Sequence, residues 1–190
     1  MKSRIGFVLV ALTLALLSAA PALAGRKTFT IDPMGVRTAN GAGRDLDTGG
    51  LGGISLPDNS TPDFGFGFII PKGYKANAPI RILFNVQTAG TNCGIVFQPE
   101  FVERSRPGHA PTTAPASGGV AAENGTFVLT APAVASQGML KVFTLTPSQG
   151  FDQLFGDAII LSFVRDDAAL SDTCTDDLIV SGINIEYPTP

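Results

Sequence analysis

The 190-residue chain has no tryptophan, one histidine and two cysteines. Each shortage closes off a chemistry. The histidine, His109, lies in Arg106-Pro107-Gly108-His109-Ala110-Pro111. A histidine in a proline-flanked loop has no orienting partner, so it reads as a solvated loop residue rather than a general base. No serine sits in a Gly-x-Ser-x-Gly elbow. One histidine and two cysteines are too few for a zinc site. The glycine run Gly49-Gly50-Leu51-Gly52-Gly53 is followed by neither Gly-Lys-Ser/Thr nor a helical pattern. It is therefore neither a phosphate loop nor a dinucleotide fingerprint. Charged residues make up only 15% of the chain, and beyond the N-terminus no apolar run approaches membrane-spanning length.

The N-terminus has the parts of a secretory leader. Lys2 and Arg4 supply positive charge, Ile5 to Leu17 is almost unbroken apolar sequence, and Ala22-Leu23-Ala24 is a small-x-small cleavage site. Cleavage after residue 24 leaves 166 residues, enough for one domain with a real core. It also removes two cations, leaving eleven basic and sixteen acidic residues. That balance argues against nucleic acid and anionic membranes as partners. The expected location is secreted, extracellular or periplasmic, with no membrane span after cleavage.

Both cysteines, Cys93 and Cys174, fall in the mature part. In an oxidising compartment such a pair most often bridges. Two free thiols or an intermolecular bridge are the alternatives. Both cysteines sit in loop-like contexts, Thr91-Asn92-Cys93-Gly94 and Asp172-Thr173-Cys174-Thr175.

Strand signals recur along the mature chain. Lys27 to Val36 alternates weakly. Phe64 to Ile70 alternates phenylalanine with glycine, and Ile80 to Thr88 puts Ile80, Ile82, Phe84 and Val86 on one face. Further strands are expected over Gly94 to Val102, Thr126 to Val134, Met139 to Leu145, Ala158 to Arg165 and Leu178 to Tyr187. Residues 25–63 read as a Gly-rich arm with one short strand, and residues 64–190 as the domain. Arg104 to Gly119 reads as a long exposed loop, and Pro147 to Phe155 carries the only hint of a helical turn. About eight strands with almost no helix predict an all-β, antiparallel two-sheet sandwich of jelly-roll type. An immunoglobulin-like sandwich is the alternative, without that fold's buried tryptophan.

Candidate chemistry is thin. Glu100 and Glu103 are carboxylates near a strand end, but three apart on a regular strand they point to opposite faces, so they do not make a glycosidase pair. The densest polar group is Asp166, Asp167, Asp172, Asp176 and Asp177, in the loop between the last two strands. So many oxygen ligands could hold Ca²⁺, although the spacing and glycine of an EF-hand are missing. The alternative is a solvated acidic loop with Arg165 bridging to one carboxylate. No other cofactor is indicated. Asn59-Ser60-Thr61 and Asn124-Gly125-Thr126 match the N-glycosylation pattern.

The C-terminal segment has a recognisable form. Gly156-Asp157 opens the apolar strand Ala158 to Val164, which ends in Arg165-Asp166. Asp172-Thr173 follows, and the chain closes on Ile185-Glu186-Tyr187. The pattern resembles the closing strands of a jelly-roll domain of phage tail-associated and uncharacterised bacterial secreted proteins. The resemblance implies architecture more than activity. The expected function is a non-catalytic structural or assembly subunit of a surface layer, filament or spike. Its arm would pair with a neighbour's sheet edge, so that partners are copies of itself or another surface protein. The alternative is a secreted ligand-binding module, for carbohydrate as one example. A hydrolase with an unusual carboxylate site is the third reading and has the least in its favour.

Overall fold

The computed structural model describes residues 25–45, 52–115, 128–147 and 152–190. The leader, the Gly49-Gly50 part of the glycine run and Asn124 lie outside them. The chain forms twelve strands among these residues: β1 (Arg26–Ile31), β2 (Arg37–Ala39), β3 (Gly43–Asp45), β4 (Gly53–Leu56), β5 (Asp63–Ile69), β6 (Ile80–Thr88), β7 (Gly94–Ser105), β8 (Thr112–Pro115), β9 (Val128–Thr130), β10 (Met139–Leu145), β11 (Ala158–Arg165) and β12 (Leu178–Pro188). A single 3₁₀ turn, Pro33–Gly35, is the only helical element described.

Two antiparallel sheets pack face to face as a jelly-roll sandwich. Sheet A runs β10-β6-β12-β4-β3, with β1 sharing the β4 side of β12. That sharing is possible because β12 is long: β4 pairs with Leu178–Val180 and β1 with Ile183–Pro188. Sheet B runs β2-β5-β11-β7, and β8 and β9 divide the outer edge of β7.

The alternation in the sequence sets which side chains meet. Phe84 and Phe143 of sheet A face Phe163 of sheet B, with ring centroids 4.7 and 5.3 Å from it. Phe64, Phe66 and Phe97 complete the cluster. Edge-on and stacked rings at these spacings add to the ordinary gain from apolar burial. These six phenylalanines are thus spent inside the sandwich, while Phe155 is exposed.

Three expectations need correction. The arm does not stand apart: β1, β2 and β3 are strands of the two sheets, and each pairs within its own chain. The Arg104 to Gly119 loop is in part a hairpin. β7 continues to Ser105, a tight turn with the His109 N–H donating to the Arg106 carbonyl reverses the chain, and β8 returns along β7. The expected strand from Thr126 to Val134 is the short β9. Residues 148–151, at the centre of the turn expected over Pro147 to Phe155, lie outside the described residues. Short strands such as β2 to β4 escape a periodicity reading because three or four residues hold barely one period.

Candidate ligand-binding trough

Strand β5 buries Phe64, Phe66 and Phe68 and turns Asp63, Gly65, Gly67 and Ile69 outward. Strand register then gives the outer face of sheet B row by row. Arg37 of β2 lies opposite Gly65, and Ser162 of β11 flanks Gly65 on the other side. Gly67 lies opposite Ile160, and Ile160 opposite Glu103 of β7. Asp63 sits between Ala39 and Val164. The two glycines leave a floor of bare backbone between strands that carry side chains. The result is a trough of about 890 Å³ whose lining includes Arg37, Asp63, Gly65, Gly67, Ile160 and Ser162. Arg44 of β3 lines it as well, although β3 belongs to sheet A. The Asn40-Gly41 turn explains that. Both residues have positive φ, 49° and 91°, and the Ala42 N–H closes the turn on the Ala39 carbonyl at 3.0 Å, which brings β3 back beside β2.

A β-bulge shapes the acidic side of this face. Ser162 pairs with Phe101 but Phe163 pairs with Pro99, so Glu100 is the extra residue. Its carboxylate accepts a hydrogen bond from Ser162 Oγ at 2.9 Å. Glu103 lies opposite the outward-facing Ile160. Both glutamates are therefore on the outer face of sheet B, against the expectation from a regular strand, because the bulge shifts the alternation by one.

Asp63 carries the electrostatic strain of the trough. Its carboxyl is held above the usual aspartate range, first by burial and then by the negative charge of Glu100. A hydrogen bond from the Asn40 side chain works in the opposite direction. Asp63 Oδ1 is shut from solvent and has no hydrogen-bond partner among the described residues. An acid whose pKa is raised by folding costs stability when ionised. The cost is present above the folded pKa and is relieved as pH falls through it. Asp63→Asn should therefore raise the melting temperature at neutral pH, and the gain should shrink on acidification toward the ordinary aspartate range. A neutral-pH melting temperature equal to or below that of the wild type would contradict this assignment.

The charged groups at the end of β7 are tied to the segment before β11. Arg106 grips Asp157 with Nε to Oδ1 at 2.6 Å and Nη2 to Oδ2 at 2.7 Å, and both Arg104 and Arg106 contact Asp152. Burial pushes Asp157 up, but the bonds from Arg106 and the Leu154 N–H outweigh it and hold its carboxyl below the usual range. This cluster clamps the segment before β11 to the end of β7. Tyr74 is buried beneath the same segment, with its hydroxyl pushed up to about 12 by burial, and donates to the Ala78 carbonyl.

The five loop aspartates are dispersed. Asp172 pairs with Arg165 at 3.0 Å, Asp167 accepts from the Thr61 N–H and hydroxyl, Asp166 accepts from Gln98, and Asp177 accepts from Ser55 at 2.6 Å. Asp176 lines a smaller concavity of about 370 Å³ with Gln87, Ser136 and Thr175. No group of three or more His, Cys, Asp or Glu side chains among the described residues is placed to hold a metal. The Arg165 bridge weighed as the alternative to calcium is present, and Cys93 and Cys174 form a disulfide.

No protein-family model and no curated protein matches the chain. Solved structures do share its general outline. One is the C-terminal CBM6 of LamC, a laminarinase from Zobellia galactanivorans: 12% identity, TM-score 0.42, covering 84% of this chain and 98% of that one. Another is the family 11 carbohydrate-binding module of Lic26A-Cel5E from Clostridium thermocellum: 9% identity, TM-score 0.33, covering 90% and 91%. A third is the enzymatically active domain of bacteriophage CBA120 tailspike protein 4: 11% identity, TM-score 0.33, covering 84% of this chain and 19% of that one. At these values the likenesses carry nothing about the site.

Sequence reading passed over Arg37, Arg44, Asp63 and Ser162. One signal was there to find. In Phe64-Gly65-Phe66-Gly67-Phe68 the phenylalanines announce the buried face, and the glycines between them announce an empty outer one.

Proposed function

We propose that the protein is an exported ligand-binding module and that the trough on sheet B holds a carbohydrate chain. One observation supports this most: an open, glycine-floored concavity that also contains a solvent-shut carboxylate oxygen with no partner among the described residues. A sheet face with only a structural role has no reason to hold Asp63 in that state. A turn of the Asp63 carboxyl about its Cβ–Cγ bond would present Oδ1 to the trough, where a ligand hydroxyl would donate to it and remove the deficit. The lining mixes hydrogen-bonding groups with bare backbone and the half-exposed Ile160. Sugars offer the complement, with hydroxyls at the ring edge and C–H groups on its faces. An enclosed apolar pocket of the kind that takes lipids or flat aromatic ligands is not what this open trough provides.

The assembly reading loses its main support, since the arm that was to pair with a neighbour pairs within its own chain. Calorimetric titration of the mature protein against a panel of soluble polysaccharides tests the proposal. Gly67→Thr places a side chain on the trough floor and should abolish binding. A Cβ there would lie 3.2 Å from the Ile159 carbonyl oxygen, so the strand must shift slightly. Asp63→Asn is the companion variant, free of that steric demand, and should weaken binding while keeping the fold. Undiminished affinity in both variants would remove the trough as the site.

A further inference from the structure

The described chain contains seven arginines, and five of them bond to carboxylates. Arg26 and Arg81 contact Glu186, Arg104 and Arg106 contact Asp152 and Asp157, and Arg165 contacts Asp172. The remaining two, Arg37 and Arg44, have no ion pair or side-chain hydrogen bond among the described residues. Both line the trough. They arrive there from different sheets, β2 and β3, through the Asn40-Gly41 turn.

This arrangement goes against the rest of the molecule. The mature chain has five more acidic than basic residues, so carboxylates to pair with are plentiful. Two guanidiniums without a carboxylate partner among the described residues, at the same concavity, make a local positive site on a negative protein. Guanidinium recognises carboxylate and sulfate oxygens through paired N–H donors, and its charge is fixed at any physiological pH. Neighbouring strands lie about 4.8 Å apart, so Arg37 and Ser162, two strands apart across Gly65, are separated by roughly 10 Å at the backbone. That width leaves room for a saccharide unit between them. The acidic side of the face, Asp63 with Glu100, would meet hydroxyls, and the arginine side would meet anionic substituents.

We infer that the trough selects an acidic polysaccharide, with Arg37 and Arg44 binding carboxylate or sulfate groups on the saccharide units. The inference rests on the trough being the carbohydrate site. Its test compares three probes on the mature protein: polygalacturonate for carboxylate, dextran sulfate for sulfate esters, and a neutral β-glucan. Binding to one or both acidic polymers is expected, weakening as salt is raised, with little to the neutral one. Arg37→Gln combined with Arg44→Gln should reduce that affinity on the order of tenfold or more. Arg26→Gln with Lys27→Gln removes the same net charge from β1 and should leave affinity within about twofold, a control against non-specific attraction. Which polymer the arginine variant loses identifies the anionic group. Equal loss in the control pair would overturn the inference. So would a neutral glucan bound in the wild type, lost in Gly67→Thr and kept in the arginine variant, though the trough would then stand as the site. If none of the three polymers binds, the inference and the carbohydrate reading both fail.

Discussion

Asp172→Ala is expected to remove about 3–5 kcal/mol of stability, the usual cost of stranding one member of a buried ion pair. Against a domain total of about 5–15 kcal/mol, that is a large fraction. It corresponds to a fall in melting temperature of roughly 6–20 °C. The reason lies in Arg165, which is fully buried at the end of β11. All five of its N–H donors are used. Nε and Nη2 bond the two oxygens of Asp172 at 3.1 and 3.0 Å, Nη1 bonds the Leu56 and Asp176 carbonyls at 3.1 and 2.8 Å, and Nη2 also reaches the Cys174 carbonyl. One side chain of sheet B thereby holds the end of β4 in sheet A and the loop before β12. Asp172 in turn accepts from the Val96 N–H at 3.1 Å. Removing its carboxylate strands a charge where water cannot reach it.

The partner experiment separates charge from shape. Arg165→Met strands the Asp172 carboxylate in turn and leaves three carbonyls without donors, so it should also destabilise. Arg165→Met combined with Asp172→Leu should cost less than the two single effects added together, because members of one network do not contribute independently. Urea denaturation of the four proteins gives the coupling directly. A loss below about 1 kcal/mol in Asp172→Ala would mean that water enters the site and that the ion pair is not sealed.

The same arginine shows how far sequence can be read. Its bridge to a loop carboxylate is one of two readings of the acidic segment, calcium being the weaker other, while the loop is only a string of aspartates. Where Thr61, Ser55, Gln98 and Arg165 stand in space sets the partners of four of these aspartates. They come from four different elements, and no spacing rule brings them together. The long strands were legible because period-two alternation survives over seven or more residues, as in Ile80–Thr88 and Ala158–Arg165. The short strands β2 to β4 were not, having too few residues to show a period. The trough was legible only in reverse, as side chains missing from Gly65 and Gly67. Its charged lining was hidden because Arg37 and Arg44 become neighbours only through a change of sheet at Asn40-Gly41. The bulge at Glu100 was invisible for a similar reason, since a bulge is a property of two strands and a sequence shows one at a time.

Removing the disulfide should have an effect of similar size by a different route. Cys93 and Cys174 are 81 residues apart, with Cα atoms 5.0 Å apart in the fold. Opening a loop of that length returns conformational freedom to the unfolded chain worth about 4.5 kcal/mol in the chain-entropy account. Cys93→Ala with Cys174→Ala should therefore lower the urea midpoint by an amount comparable to Asp172→Ala. The local packing agrees with a built-in bridge. Gly90 lies against both sulfurs, and a Cβ there would come within 2.8 Å of Cys93 Sγ and closer still to Cys174 Sγ. The two large effects are also coupled. The Cys174 carbonyl accepts from Arg165 and the Cys174 N–H reaches Asp172 Oδ1 at 3.4 Å, so the bridge holds in place the backbone that the arginine needs. Asp172→Ala introduced into the bridge-free protein should consequently cost less than it does in the wild type. The trough makes the contrasting case. No residue of the 88–94 or 171–177 segments lines it, so polysaccharide affinity, measured well below the lowered melting temperature, should survive loss of the bridge. An affinity that falls in step with stability would place the ligand nearer the disulfide, at the concavity that includes Thr88, Ala89 and Asp176, and away from Gly65 and Gly67.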